Sequence, residues 1–188
     1  MIIRQATKAD SEVLTILIML ALEAMVYEFI AEKNFEKGIA FLSHFTKSEN
    51  NQYSYQNCFV AEVNGAVVGA VNAYDGAHLD VLRKPVLDFV FKTTGRAIKV
   101  GDETQEGELY IDTLGVNPNY QGLGIGSALV NHLIDKIVVQ KRQTLGLLVD
   151  VDNPKARKLY LKLGFKSVGY KTLFVKELEH LQISPKAN

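Results

Sequence analysis

Hydrophobic and polar positions alternate along this chain with two clear periods. Ile2 to Gln5 is a short apolar strand, and Thr7 with Asp10 three residues on offers a capping-box-like start for a helix. The helix should reach Glu32 or Lys33. Val13, Leu14, Ile16, Leu17, Ile18, Leu20, Leu22, Met25, Val26, Phe29 and Ile30 cover more than one of its faces. A helix apolar on most sides must be covered on most sides. A deep core position is the plain reading; a wall of an acceptor pocket or a dimer contact is the sharper one. Phe35 to Phe45 has the spacing of a second helix, and the polar stretch Ser48 to Asn57 reads as a loop. Cys58–Val63 and Ala66–Tyr74 form a hairpin around Asn64-Gly65, the strongest short turn signal in the chain.

The second half reads as strand and helix in turn. Residues 75–107 form a long connection: His78 to Phe91 has helical spacing interrupted by Pro85, and Gly101 to Gly107 is an acidic loop. Gly107 to Val116 is a central strand in which Gly115 marks a bulge. Leu129 to Val139 is apolar at helical spacing. Thr144 to Asp150 is a continuous apolar strand, as expected when both faces are covered. Asn153 or Asp152 caps the next helix, Pro154 suits its first turn and Gly164 ends it. Lys166 to Val175 supplies one or two closing strands. Lys176 to Asn188 is polar, contains Pro185 and is expected to fray.

Composition narrows the function classes. The 188 residues fit one domain with a sizeable core, and 47% are apolar. Lys+Arg and Asp+Glu are both 21, so no net field recommends nucleic acid or an anionic membrane as partner. Cys58 is the sole cysteine, which rules out an intrachain disulfide and a cysteine zinc site, and a cytoplasmic setting is the simplest expectation. The apolar run Val13 to Leu22 follows Arg4 and Lys8, but Asp10 and Glu12 interrupt the basic region. Glu23 closes a run too short to span a membrane, so no targeting segment or transmembrane helix is expected. His44, His78, His132 and His180 are scattered without metal-ligand spacing, and no metal is expected. Asp102, Glu103, Glu106 and Glu108 cluster before the central strand and read as a solvated loop.

The chemistry concentrates in Glu108 to Ala128, ELYIDTLGVNPNYQGLGIGSA. Strand, glycine loop and helix in that order present backbone N–H groups to an anion. Glycines at 122, 124 and 126 let a phosphate approach without meeting a Cβ. A P-loop would need Gly-Lys-Ser/Thr, and this loop has Gly126-Ser127 with no Lys. A dinucleotide fingerprint needs G-x-G-x-x-G, and the spacing here is G-x-G-x-G. Gln121-Gly122-Leu123-Gly124-Ile125-Gly126, preceded by Val116-Asn117-Pro118, instead resembles the acyl-CoA loop of the GCN5-related N-acetyltransferases. Asn153-Pro154-Lys155-Ala156-Arg157-Lys158-Leu159-Tyr160 and Gly164-Phe165 are similar to the same family's later motif.

The resemblance implies an α/β fold of mixed α+β type. Its mostly antiparallel sheet has six or seven strands, with helices on both faces and a splay between the fourth and fifth strands. It implies a single N-acetyltransferase domain over 1–176, with 75–107 as an insert and 177–188 as a tail. Acetyl-CoA is then the cosubstrate. Its pyrophosphate would lie on the N–H groups from Leu123 to Ala128, and its pantetheine arm on the strand edge Ile111–Val116. Leu114, Gly115, Val116, Gln121, Gly122, Leu123, Gly124, Ile125, Gly126, Ser127, Asn153 and Tyr160 form the expected cofactor site. A backbone N–H from Leu114 to Val116 would meet the carbonyl oxygen, and Tyr160 would protonate the leaving thiolate. Glu108, Tyr110 and Asp112 share one face of the strand. Asp112 is the first choice of base, Glu108 the second and Asp150 the third, with a water path as the alternative. The acceptor is expected to be a small primary amine; a protein or peptide amine, and a non-catalytic acyl-CoA-binding sensor, stay open. The family resemblance also permits a homodimer.

Overall fold

Most elements fall where periodicity and turn residues put them. The computed structural model describes residues 1–174 and 176–186. In chain order the elements are β1 Ile2–Gln5, α1 Ser11–Ile30, α2 Phe35–Thr46, β2 Cys58–Val63, β3 Ala66–Asp75 and α3 Leu79–Thr94. Then come β4 Glu108–Val116, α4 Ile125–Leu133, β5 Thr144–Asp150, α5 Pro154–Lys162, β6 Lys166–Leu173 and β7 Lys176–Ile183. The strand order is β1-β2-β3-β4-β5-β7-β6. β1–β2, β2–β3, β5–β7 and β6–β7 pair antiparallel, whereas β4–β5 is parallel, from Glu108 opposite Thr144 to Ile111 opposite Leu147. The chain divides into two compact units of interleaved segments. Met1–Asn72, Asp80–Ile98 and Thr113–Leu129 make the first; Ala73–Leu79, Lys99–Asp112 and Val130–Asn188 make the second.

In the first unit, α1 buries Leu14, Leu17, Ile18, Met19, Val26 and Phe29. It ends at Ala31, which turns left-handed with φ 58°, short of the expected Glu32 or Lys33. The helix and the turn before it, Lys8–Ile30, span 23 residues, and an 18-residue stretch within them has a mean hydropathy of 2.1. By length and composition that is enough to cross a membrane, a measure that the core helix of a globular protein also meets. α2 and α3 meet through aromatic rings, with Phe41 and Phe45 lying 5.9 and 5.4 Å from Phe89. Pro85 sits inside α3 without ending it. Gly115 marks a close approach: a Cβ there would overlap the Leu17 carbonyl, so β4 lies directly against the α1 backbone.

The middle of the expected polar loop 48–57 is interior. Asn51, Gln52, Tyr53 and Ser54 are buried. Their polar groups serve backbone: Asn51 Nδ2 donates to the Phe45 carbonyl at 3.1 Å, and Asn72 Nδ2 donates to the Gln52 carbonyl at 3.0 Å. Such bonds offset the desolvation that would otherwise keep these residues outside.

In the second unit the expected fraying tail is instead β7, which pairs with β5 on one side and β6 on the other. Its interior positions include Glu179 and His180, so it lacks an apolar alternation. Arg157 Nε donates to Glu179 Oε2 at 2.5 Å, and that partner lets a carboxylate sit in the sheet. Val175 and residues 187–188 of the expected tail lie outside the described residues. The acidic stretch is solvated only in part: Asp102 and Glu106 are exposed. Glu103 and Glu108 are buried, and Tyr74 Oη donates to Glu103 Oε1 at 2.8 Å. The helix after the glycine loop starts earlier than expected, at Ile125, and continues beyond Leu133 as a π-helix, Ile134–Gln140.

The start of α1 carries a pH-sensitive contact. Arg4 Nη1 and Nη2 each donate to Asp10 at 2.8 Å, and the Thr7 N–H donates to Asp10 Oδ2 at 2.7 Å. The Arg4 guanidinium holds the Asp10 carboxyl at about 2 against its ordinary 3.8, despite the opposing effect of burial. A lowered folded-state value means the stabilisation is full above pH 3.8 and is lost as pH falls through 2. Asp10→Asn should therefore cost about 1 kcal/mol at pH 7, an amount discounted for the part-exposed Arg4. In thermal melts, the gap between variant and wild type should close as the pH is lowered towards 2.

Candidate active site

The first unit holds the backbone part of the site. β4 carries Leu114, Gly115 and Val116 to a turn in which Asn117 Oδ1 accepts from the Asn119 N–H at 3.0 Å. Gln121 Nε2 then donates back to the Val116 carbonyl at 3.3 Å. The chain reverses through Gly122 and Gly124, with φ of 79° and 81°, and enters α4 at Ile125. L residues avoid that conformation, which explains glycine at both positions. The Ala128 N–H donates to the Gly124 carbonyl at 2.9 Å and opens the helix ladder. The N–H groups of Ile125, Gly126 and Ser127 precede that ladder, where an α-helix has no acceptor of its own. Gln121 to Gly124 are exposed, and Cβ atoms at 122 and 124 would meet nothing within 4 Å. The arrangement can take an anion on backbone donors at a helix N-terminus.

Beside it in the same unit is a recess of about 530 Å³, lined by Glu12, Val13, Ile16, Leu20, Ile39 and Asn117 among others. Ile16 and Leu20 are 44% and 48% exposed, so α1 offers apolar side chains to this recess as well as to the core.

The second unit holds the ionisable candidates. Tyr160 lies on α5, buried, with its ring centroid 5.8 Å from that of Phe165. Burial pushes its phenol up to about 12, so it is a proton donor throughout the neutral range. Asn153 caps α5 by accepting from the Ala156 N–H at 3.1 Å, which occupies the Oδ1 of this expected cofactor residue. Asp112 is half-buried on β4. Burial raises the Tyr74 phenol well above 10, and the nearby carboxylates of Asp112 and Glu103 add to the effect. Asp150 receives Lys176 Nζ at 2.7 Å, and that ammonium lowers its carboxyl, making it a weak base. Glu108 is 1% exposed at the side chain and is met by His180 Nε2 at 2.9 Å. His180, which lacks metal-ligand spacing, is a partner of Glu108, as are Gln182 and Thr104; the signal for His180 and Gln182 in the sequence is the row of polar residues in 176–183. Among the described residues no three His, Cys, Asp or Glu side chains gather where a metal ion could be held.

The first unit thus unites Leu114 to Val116 with Gln121 to Ser127, and the second unit carries Glu108, Asp112, Asn153 and Tyr160. The model of the acetyltransferase (GNAT) family matches residues 22–165. The chain belongs to that family, and its seven-stranded sheet with a parallel β4–β5 pair is the mixed sheet that the motifs imply. An acetyltransferase of solved structure is 32% identical with a TM-score of 0.78, covering 99% of this chain and 100% of that one. An acetyltransferase from Salmonella typhimurium, solved with its cofactor acetyl-CoA, is 18% identical with a TM-score of 0.58, covering 100% and 95%; this likeness concerns the fold alone. An acetyltransferase from Pectobacterium atrosepticum is 30% identical over 115 residues, 61% of this chain, and the match spans 60% of that relative's length.

The three loop glycines should differ in tolerance. Gly124→Ala must adopt φ near 81° and should lose about 1–2 kcal/mol in denaturant unfolding. Gly126→Ala lies in the helix, with Leu114 and Val116 side chains at ordinary contact distances of 3.6 and 3.7 Å, and should unfold within about 0.5 kcal/mol of wild type.

Proposed function

We propose that this protein is an N-acetyltransferase that moves an acetyl group from acetyl-CoA directly to the primary amine of a small molecule. The observation that carries the reading is the exposed turn at Gly122 and Gly124 leading into the unladdered first turn of α4. That geometry suits a pyrophosphate held by N–H groups from Leu123 to Ala128. Family membership supports the acyl-CoA choice, as does the bound acetyl-CoA of the Salmonella fold neighbour.

Glu108 to Ile111 of β4 pair in parallel with Thr144 to Leu147 of β5. The later half of β4 pairs with the amides of pantetheine in this reading, with a backbone N–H among Leu114 to Val116 facing the thioester oxygen. The neutral amine attacks the thioester carbon, and the oxygen gains charge against that donor. The tetrahedral adduct collapses, the C–S bond breaks, and Tyr160 gives its proton to the leaving sulfur. Asp112, directly or through water, takes the proton that the amine loses. The recess beside Asn117 is of small-molecule size, which favours a small amine over a protein chain.

Tyr160→Phe keeps the ring beside Phe165 and removes the donor. Thiol release from acetyl-CoA in the presence of an amine panel should fall by about 10²-fold or more, with the CoA dissociation constant changed less than about threefold. Unchanged turnover would remove Tyr160 from the chemistry. Acetylation of a peptide library with no acetylation of small amines would overturn the acceptor class.

A further inference from the structure

Glu108 opens β4 with a carboxylate that four donors reach. Thr104 Oγ1 and Gln105 Nε2 approach Oε1 at 2.7 and 3.3 Å. Gln182 Nε2 and His180 Nε2 approach Oε2 at 2.7 and 2.9 Å. Two of these residues lie one strand beyond the neighbouring strand. Glu108 stands opposite Thr144 on β5, whereas Gln182 and His180 stand on β7, opposite Gly146 and Leu148 of β5. The Glu108 side chain therefore crosses β5 to reach them. It crosses at Gly146, where a Cβ would overlap Glu108 Oε2 and come within 3.3 Å of His180 Nε2. The absence of a side chain at 146 makes the crossing possible. From the other end, Lys171 Nζ on β6 donates to Gln105 Oε1 at 2.5 Å, so the network also takes in the residues leading into β4.

An ionised carboxylate has about four lone-pair sites, and here the donors match that number. Burial pushes the Glu108 carboxyl up, but hydrogen bonds from His180, Gln182 and Thr104 outweigh it and the net direction is down. A general base needs a lone pair turned to its substrate and a route for the proton. Glu108 offers neither, being 1% exposed and engaged on both oxygens. Its bonds serve a different purpose: they fix the start of β4 against β7 across the intervening strand.

We infer that Glu108 is a positioning residue, tied over Gly146 to His180 and Gln182, which holds the start of β4 so that Asp112, in the same unit, is presented correctly. The consequence for catalysis rests on the proposed acetyl transfer; the tie itself does not. Glu108 leaves the amine's proton to another group.

Two measurements on the full chain test this. In the first, thermal melts compare Glu108→Ala, Gly146→Ala and the double variant. Gly146→Ala alone should lower Tm by about 5 °C or more, because the new Cβ takes the place of the carboxylate. In the Glu108→Ala background the same change should cost far less, about 1–2 °C, since the carboxylate is gone and only the His180 ring edge, 3.3 Å from the new Cβ, has to give. Additive losses overturn the tie. In the second, Glu108→Gln and wild type are followed from pH 5 to 9 by thiol release from acetyl-CoA with a mixture of ethylamine, benzylamine and putrescine. The variant should lose about tenfold in kcat at an unchanged KM for acetyl-CoA, and its kcat/KM should keep the acid-side limb of the wild type. Disappearance of that limb would make Glu108 the base and overturn the assignment. A wild type that releases no thiol with these amines defeats the proposed reaction, while the melts still decide the tie.

Discussion

The first turn of α4 cannot satisfy its own N–H groups, and the backbone conformation of the turn before it sets the direction in which they point. Gly122 and Gly124 take φ near 80°, where other residues are strained, and the turn leaves the chain open to solvent as it enters the helix. Upstream, β4 lies against the α1 backbone through the missing side chain of Gly115. Asn117 and Gln121 then bond the turn internally. Each of these features serves to hold a set of unpaired donors in a fixed direction. Fixed donors are worth more to an anion than mobile ones, because no ordering is needed when it arrives.

Much of the fold was legible because the relevant signals are local. The hairpin at Asn64-Gly65, the strand Thr144–Asp150 and the Asn153–Pro154 helix start depend on turn chemistry, capping and continuous apolarity, and each stands where the residues indicated. The glycine loop was legible for the same reason. What stayed hidden was long-range polar pairing. β7 carries Glu179 and His180 inward, where Arg157, 22 residues before Glu179, and Glu108, 72 residues before His180, are among their partners. Hydrophobic periodicity has no means of registering a buried carboxylate whose partner lies far away in sequence. The segment 51–54 was misread on the same grounds: its side chains are polar because they satisfy buried backbone, as Asn51 does for the Phe45 carbonyl.

The candidate site divides along the same line. Backbone donors could be placed from glycine spacing, and Tyr160 from its place in a motif. The carboxylates could not be ranked from alternation alone, since Glu108 and Asp112 share a strand face and differ only in their surroundings. Glu108 is enclosed by four donors, whereas Asp112 is half-buried further along the strand. Burial likewise decides the character of Tyr160: with its phenol pushed up to about 12, it can give a proton at neutral pH but does not rest as a phenolate.

The account turns on what the glycine turn and the start of α4 bind. Thermal melts of the whole chain with acetyl-CoA, NAD and ATP, each at about 100 times a plausible dissociation constant, test that most directly. A ligand bound only by the folded state should stabilise by about 2.7 kcal/mol at that excess, a readily seen shift. The account predicts a shift with acetyl-CoA and none with NAD or ATP. No shift with acetyl-CoA, or an equal shift with all three, would contradict it and return the turn to a structural role.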